Sequence, residues 1–236
     1  MRSKRDFLSV TDLTPAETRN LIERAEKSKS QPKVYVEGDS GKPLAGKTVA
    51  ILFDKPSLRT RVSFQVGIQQ LGGYSVFLGQ QEVGLGDREP VSDVANVLSG
   101  YVDCIVARVS DHQMLVDLAK HASVPVVNAL SDVEHPCQIM ADLLTIYEHK
   151  SALDGLSLAY VGDGNNVARS LCLALPAVGM NFTSASPNGY DLDEASVQIA
   201  RIRANGSSIQ VRTLTDPAEA VVGADVVYTD VWASMG

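Results

Sequence analysis

Lys47-Thr-Val-Ala-Ile-Leu-Phe53, then Asp54-Lys55-Pro56, then Ser57-Leu58-Arg59-Thr60-Arg61: this stretch decides how the chain folds. The first run reads as an apolar strand ended by Pro56, and Val62 to Leu71 has helical spacing, which predicts a helix over 58–71. The second motif therefore lies where a strand hands over to a helix. A helix N-terminus presents unpaired backbone N–H groups and a partial positive charge. Hydroxyls from Ser57 and Thr60 and the guanidinium groups nearby make this a site for a small, doubly charged oxyanion such as phosphate. Arg59 and Arg61 are two apart and leave the helix on different faces. One is expected to meet the ligand and the other to pair with a carboxylate.

The same alternation runs outward in both directions. Thr14, Pro15 and Glu17 form a capping-box start for an N-terminal helix with Leu21, Ile22 and Ala25 on its apolar face, and 28–46 reads as loop. Strand 74–78, an exposed loop over 79–90, a helix from about Ser92, strand 103–109, helix 111–121 and strand 124–130 follow. A long helix is expected over 136–149. The pattern then restarts with strand 156–161, helix 166–178, strand 181–185, helix 192–204, a short strand at 209–213, helix 217–223 and strand 225–231. Strands alternating with helices imply parallel sheets. The expected fold is α/β, with two domains, 1–149 and 150–236, each a central parallel sheet flanked by helices, linked by the long helix.

Composition narrows the function. A net charge of -7 argues against general affinity for nucleic acid or membrane surfaces, so any anion site is a local basic pocket in an acidic envelope. Three cysteines, Cys104, Cys137 and Cys172, form no framework and no CxxC pair, which suits a reducing cytoplasm. The basic N-terminus has no apolar run behind it and does not read as a secretory signal. No apolar run approaches the roughly 18 residues a membrane span needs. No cluster has metal-ligand spacing, and neither a P-loop nor a GxSxG elbow is present. His112, His121 and His149 read as isolated surface residues.

Four further segments fall where an open α/β sheet binds ligands, beyond the carboxyl ends of strands. Arg108 closes strand 103–108. His135-Pro-Cys-Gln138 opens the long helix, with Pro136 fixing its entry and Cys137 read as a packed thiol rather than a nucleophile. Gly162-Asp-Gly-Asn-Asn166 lacks the third glycine of a dinucleotide turn, and Asp163 repels a pyrophosphate, so NAD is disfavoured and an amine or amino acid suits it better. Asp230-Val-Trp-Ala-Ser-Met-Gly236 follows another apolar run, and Asp230 suits a cationic group. Each of these also has a plain reading as a cap, a tight turn or a salt-bridged rim.

Taken together, these segments resemble the transcarbamoylase family. Ser57-x-Arg59-Thr60-Arg61, Arg108 and His135-Pro-x-Gln138 are similar to its carbamoyl phosphate site. Gly162-Asp-Gly-Asn-Asn166 and Asp230-x-Trp-x-Ser-Met-Gly236 are similar to the ornithine site of its ornithine-specific branch. Phe7-Leu-Ser-x-Thr-Asp-Leu13, Leu85-Gly-x-Arg-Glu89 and Ala141-Asp142 extend the likeness over the whole chain.

The resemblance implies transfer of a carbamoyl group from carbamoyl phosphate to the side-chain amine of L-ornithine, giving L-citrulline and phosphate in arginine metabolism, with no cofactor and no metal. It implies that Ser57, Leu58, Arg59 and Thr60 bind phosphate, and that Arg108, His135 and Gln138 hold the carbamoyl group. Arg59, Arg108 and His135 would carry the catalysis. Asn166, Asp230, Ser234 and Met235 would grip ornithine, the last two from a loop that closes over it. A cytoplasmic homotrimer is also implied. Three departures stand out: Leu58 where a Thr is usual, Gly84 where many relatives have a Gln, and an end at Gly236 where relatives continue with a His-Cys-Leu-Pro segment and closing helices. The chain is therefore expected to be C-terminally truncated. Rival readings are a non-catalytic carbamoyl phosphate binder and a sister enzyme acting on aspartate or putrescine. Asp87-Arg88-Glu89 stands where the aspartate enzyme needs a Lys, and a putrescine enzyme has no use for Ser-Met-Gly.

Overall fold

The computed structural model describes residues 4–30, 42–86, 88–204 and 208–230. These residues form two compact units. The first holds the described residues up to Leu8 together with Arg24–Ser131; the second holds Ser9–Glu23 and the described residues from Asp132 onward.

The first unit is a four-stranded parallel sheet in the order β2-β1-β3-β4, made of β1 Thr48–Phe53, β2 Tyr74–Gly79, β3 Cys104–Arg108 and β4 Val126–Leu130. The central strands are apolar on both sides because helices cover both faces. Their side chains alternate between two separate clusters. Ala50, Leu52, Ile105 and Ala107 join one with Val94, Leu115 and Leu118, while Val49, Ile51, Phe53 and Val106 join the other with Ile68. Helix α1, Pro15–Ser30, gives this unit its residues from Arg24 onward, while the covering helices are α2 Leu58–Gln70, α4 Val91–Ser99 and α5 His112–His121. A short α3, Gln80–Val83, lies in the stretch expected to be loop. Glu82 Oε2 accepts the Gly79 N–H at 2.7 Å, and Gly84 ends the turn in the left-handed region that favours glycine. Four residues are too few for a periodic signal, so local caps rather than hydrophobic spacing create this helix.

The second unit repeats the design with β5 Ser157–Val161, β6 Asn181–Ala185, β7 Val211–Leu214 and β8 Val226–Tyr228, parallel and ordered β7-β6-β5-β8. The long helix α6, Pro136–Lys150, sends Ile139, Leu143 and Ile146 into this unit's core. They meet α7, Asn166–Ala174, and α8, Glu194–Arg203. Val10 and Ile22 from the start of the chain complete the cluster. The helix expected over 166–178 is broken: α7 ends at Ala174, and Pro176, which has no N–H to continue the ladder, starts a 3-10 turn over Pro176–Val178. The helix expected over 217–223 is the shorter α9, Pro217–Ala220. The N-terminal capping box is real: Thr14 and Glu17 exchange hydrogen bonds at 2.9 and 3.2 Å, worth about 1 kcal/mol to the helix start. The helix reaches Ser30, three residues into the expected loop.

Strand order reverses once in each sheet. From β1 the chain goes outward to β2, then returns to the other side of β1 as β3; β5 stands in the same relation to β6 and β8. At such a point the loops beyond neighbouring strands diverge and leave a crevice. The loop after β1 leads through Ser57 into the start of α2, which carries Leu58 to Arg61, and β3 ends on Arg108. The loops after β5 and β8 carry Gly162 to Asn166 and Asp230.

Candidate active site

In the first unit, the ends of β1 and β3 are clamped by the Asp54 N–H donating to the Arg108 carbonyl at 3.1 Å. Asp54 Oδ2 accepts the Ser110 N–H. Ala107 pairs with Asn128, but Arg108 pairs with Leu130, so Ala129 is an extra residue and the ladder slips at the strand's end. A bulge of this kind re-aims a side chain at a sheet edge. Arg108, only 7% exposed, points Nη1 at Thr60 Oγ1 at 3.4 Å. Thr60 also accepts from the Ser57 hydroxyl at 3.0 Å. Ser57 stands at the N-cap of α2, yet its side chain makes no cap hydrogen bond, so the hydroxyl is committed to Thr60 and not to the helix's N–H groups.

Burial pushes the Arg108 guanidinium below its ordinary pKa, Asp54 opposes that, and the neighbouring Arg59 adds to it. Arg108 Nε is buried with no partner among the described residues. The buried Arg108 guanidinium, the Arg59 charge that acts on it, two hydroxyls and a helix start form a cradle whose chemistry suits an anion. Leu58 is exposed at the helix start. Of the two arginines, Arg61 pairs with no carboxylate among the described residues: its guanidinium lies 3.7 Å from the Phe77 ring centroid and its Nε donates to Gln65 at 3.3 Å. The aromatic ring of β2 thus holds the Arg61 cation.

In the second unit, His135 is the N-cap of α6, with Pro136 in the first turn. Its backbone N–H donates to Ser170 Oγ at 2.9 Å, and Ser170 lies 3.5 Å from buried Glu134, which also accepts the Val10 N–H at 3.1 Å. This buried polar knot fixes the start of α6 onto α7. One turn on, Gln138 Nε2 donates to Asp142 Oδ1 at 2.9 Å, and Tyr228 Oη donates to Asp142 Oδ2 at 3.1 Å. Tyr228 stacks on Tyr160 with ring centroids 6.0 Å apart. Tyr160 Oη donates to the Asp163 carbonyl at 2.9 Å. Asn165 caps α7, its Oδ1 accepting from Val167 and Ala168 at 3.0 Å each, and its Nδ2 donates to Asp230 at 3.0 Å. Asn166 is the first residue of α7. Ser234 and Met235 lie outside the described residues.

The charge here is opposite to that of the first unit. Desolvation raises the Asp142 carboxyl pKa, Gln138 and Tyr228 pull it back, and Asp230 raises it further. Both tyrosine hydroxyls are raised, by burial first and then by Asp230 with Asp163 at Tyr160 and by Asp142 with Asp230 at Tyr228. Acid and amide groups around two aromatic rings suit an ammonium. Gly164 follows from packing alone: a Cβ there would come within 2.6 Å of the Asp191–Leu192 backbone. Cys137 is held as a thiol, pushed up to about 12 by burial. His112, expected to be a surface residue, is half-buried and shares a 2.8 Å hydrogen bond with Ser131 Oγ at the end of β4.

The structure thus brings Ser57, Thr60 and Arg108 together in one unit, where the Arg59 charge acts on Arg108, and in the other it joins Gln138 and Asp230 to a common cluster. Sequence reading passed over Asp54, Asp142, Tyr160, Asn165 and Tyr228 as site residues. Asp142 was legible in principle, since it lies four residues after Gln138 on one helix; the tyrosines depend on the sheet order.

An α/β protein with an anion cradle at one switch point and an acidic amide cluster at another is the class these features define. The aspartate/ornithine carbamoyltransferase family matches on both parts, its carbamoyl-P binding domain over residues 5–148 and its Asp/Orn binding domain over residues 154–236. The chain is 49% identical over 232 residues to an ornithine carbamoyltransferase of Anoxybacillus flavithermus and 50% identical over 232 residues to that of Thermococcus kodakarensis, covering 98% of this chain and 73% of each relative. The solved ornithine carbamoyltransferase of Pyrococcus furiosus superposes with a TM-score of 0.93 at 47% identity, over 99% of this chain and 74% of that one. This chain belongs to the aspartate/ornithine carbamoyltransferase family.

Proposed function

We propose that this protein transfers the carbamoyl group of carbamoyl phosphate to the side-chain amine of L-ornithine, yielding L-citrulline and phosphate. The observation that carries this reading is the cradle at the end of β1 and β3: Arg108 is buried, its Nε has no partner among the described residues, its Nη1 donates to Thr60, and the Arg59 charge acts on it. The relatives' names point to ornithine rather than aspartate as acceptor.

In this reading Ser57, Leu58, Arg59 and Thr60 take the phosphate, Leu58 through its backbone N–H. Arg108 and His135 donate to the carbamoyl oxygen, and Gln138 holds the carbamoyl amide. The neutral side-chain amine attacks the carbonyl carbon. Negative charge grows on that oxygen, where preorganised donors are worth roughly 3 kcal/mol each. The C–N bond forms, the C–O bond to phosphate breaks, and the departing phosphate takes the amine's proton. Asn166, Asp230, Ser234 and Met235 grip the amino acid, Asp230 at the α-ammonium. The first domain thus binds carbamoyl phosphate and the second ornithine.

We also propose a homotrimer. Leu58, Val62 and Val66 form an exposed apolar stripe at i, i+4, i+8 on α2, and Tyr74, 70% exposed, and Val76 lie on β2, an edge strand. Such a patch suits self-association. A cytoplasmic site fits three cysteines, Cys104, Cys137 and Cys172, that form no disulfide among the described residues. Among the described residues no helix is long and apolar enough to cross a membrane.

The test is citrulline formation by the purified chain from carbamoyl phosphate and L-ornithine, with Arg59→Ala alongside. Turnover that Arg59→Ala abolishes supports the reading. Binding of a phosphonate analogue without any turnover would favour a non-catalytic binder.

A further inference from the structure

We propose that Asp142 is a positioning residue that locks the side-chain amide of Gln138 so that its oxygen, not its nitrogen, faces the carbamoyl group. The inference rests on the reading above, in which Gln138 meets that group. It comes from the direction of two hydrogen bonds. Asp142 Oδ1 lies 2.9 Å from Gln138 Nε2, and Oδ2 lies 3.1 Å from the Tyr228 hydroxyl. A carboxylate only accepts, so it fixes which end of the amide turns toward it. With Nε2 held, Oε1 is turned away from Asp142 as an acceptor. The carbamoyl group ends in an NH2, which needs an acceptor; phosphate carries none of this demand. An untethered glutamine would sample both amide orientations and lose rotamer entropy on binding.

Tyr228 makes the lock rigid. It occupies the second carboxylate oxygen and stacks on Tyr160, which is itself tied to the Asp163 carbonyl. Asp142 therefore joins a helix residue at the donor's amide to the aromatic wall two residues before Asp230.

The experiment is calorimetric binding of phosphonoacetamide, which carries both the phosphonate and the amide, and of inorganic phosphate, which lacks the amide. The wild-type chain is expected to prefer phosphonoacetamide. Asp142→Leu should cut that preference roughly tenfold, the scale of one hydrogen bond to a charged group, with phosphate affinity held within about twofold. Asp142→Asn, which keeps one accepting oxygen, should restore most of it. In a Gln138→Leu background, Asp142→Leu should add nothing. Should the leucine fail to fold, Asp142→Ala removes the same two acceptors and has to give the same result. A preserved preference in Asp142→Leu overturns the inference, as does an equal loss of phosphate binding or a further loss on top of Gln138→Leu. A wild-type chain that binds the two probes equally overturns the reading of Gln138 itself and this inference with it.

Discussion

Arg108 is where a single residue is asked for most. It is buried, its Nε is without a partner among the described residues, and its Nη1 donates a long hydrogen bond, 3.4 Å, to Thr60. A cation kept in that state is costly unless an anion arrives. Arg108→Ala should lower kcat/KM for citrulline formation by about 10² to 10³, the loss typical of one donor at a developing oxyanion. Arg108→Lys should rescue little of it, because an ammonium lacks the planar fork. Steady-state kinetics with varied carbamoyl phosphate checks both. Asp142 offers a second test, by stability. Its carboxyl pKa is raised in the fold, chiefly by desolvation, with Asp230 adding to it and Gln138 and Tyr228 opposing. The folded chain therefore binds this proton more tightly than the unfolded one. Stability is lost as pH rises from the ordinary carboxylate value, about 3.9, through the raised one, and levels off above it. Asp142→Asn has no such loss. The Tm of Asp142→Asn minus that of wild type should grow as pH rises above about 4 and then level off in thermal scans; a flat difference would contradict the raised pKa.

At the scale of elements, helix starts carry both order and chemistry. Asn165 spends Oδ1 on the first N–H groups of α7 and Nδ2 on Asp230. Asn165→Ala should cost about 1 kcal/mol in denaturant unfolding and raise KM for ornithine, because it removes the cap and frees Asp230 together. Asn165→Asp separates the two: aspartate caps as well as asparagine, so stability holds, but a second carboxylate now faces Asp230. The acid limb of the pH–rate profile should move to higher pH, since like charges resist joint ionisation. The elements themselves were largely legible. Strand 48–53 announces itself by an apolar run between Gly46 and Pro56, and strand 104–108 by an apolar run after Gly100; Ser57 and Arg108 can be placed at the ends of these strands from the same runs. Less legible were features that only tertiary neighbours create. Four-residue α3 has no period to detect. The break at Pro176 follows a helical pattern that continues past it. Arg61 stacks on a ring from the next strand, and the Asp142–Tyr228 bond exists only because β8 lies beside β5.

Across the whole molecule, one topology is used twice with opposite charge. Each unit puts its candidate functional groups at the reversal in strand order, but in the first the charges of Arg59 and Arg108 act on one another while the second gathers Asp142, Asp163 and Asp230. Against a net charge of -7, the first is a local exception that a small dianion can find and a polyanion cannot follow. This division predicts where inorganic phosphate acts. It should bind the first unit alone and stabilise it through mass action, by about 2.7 kcal/mol at a hundredfold excess over Kd. Amide hydrogen exchange should then slow at the start of α2 and around 108–110, which share the cradle and the clamp through Asp54. Residues 162–168 and 228–230 should exchange as before, because an acidic cluster gains nothing from the same ion. Arg59→Ala should remove the protection, and rising salt should weaken it, since paired charges at this partly exposed site are screened. Protection spread evenly over both units would mean that phosphate acts by general exclusion from the surface, and the cradle would not be its site.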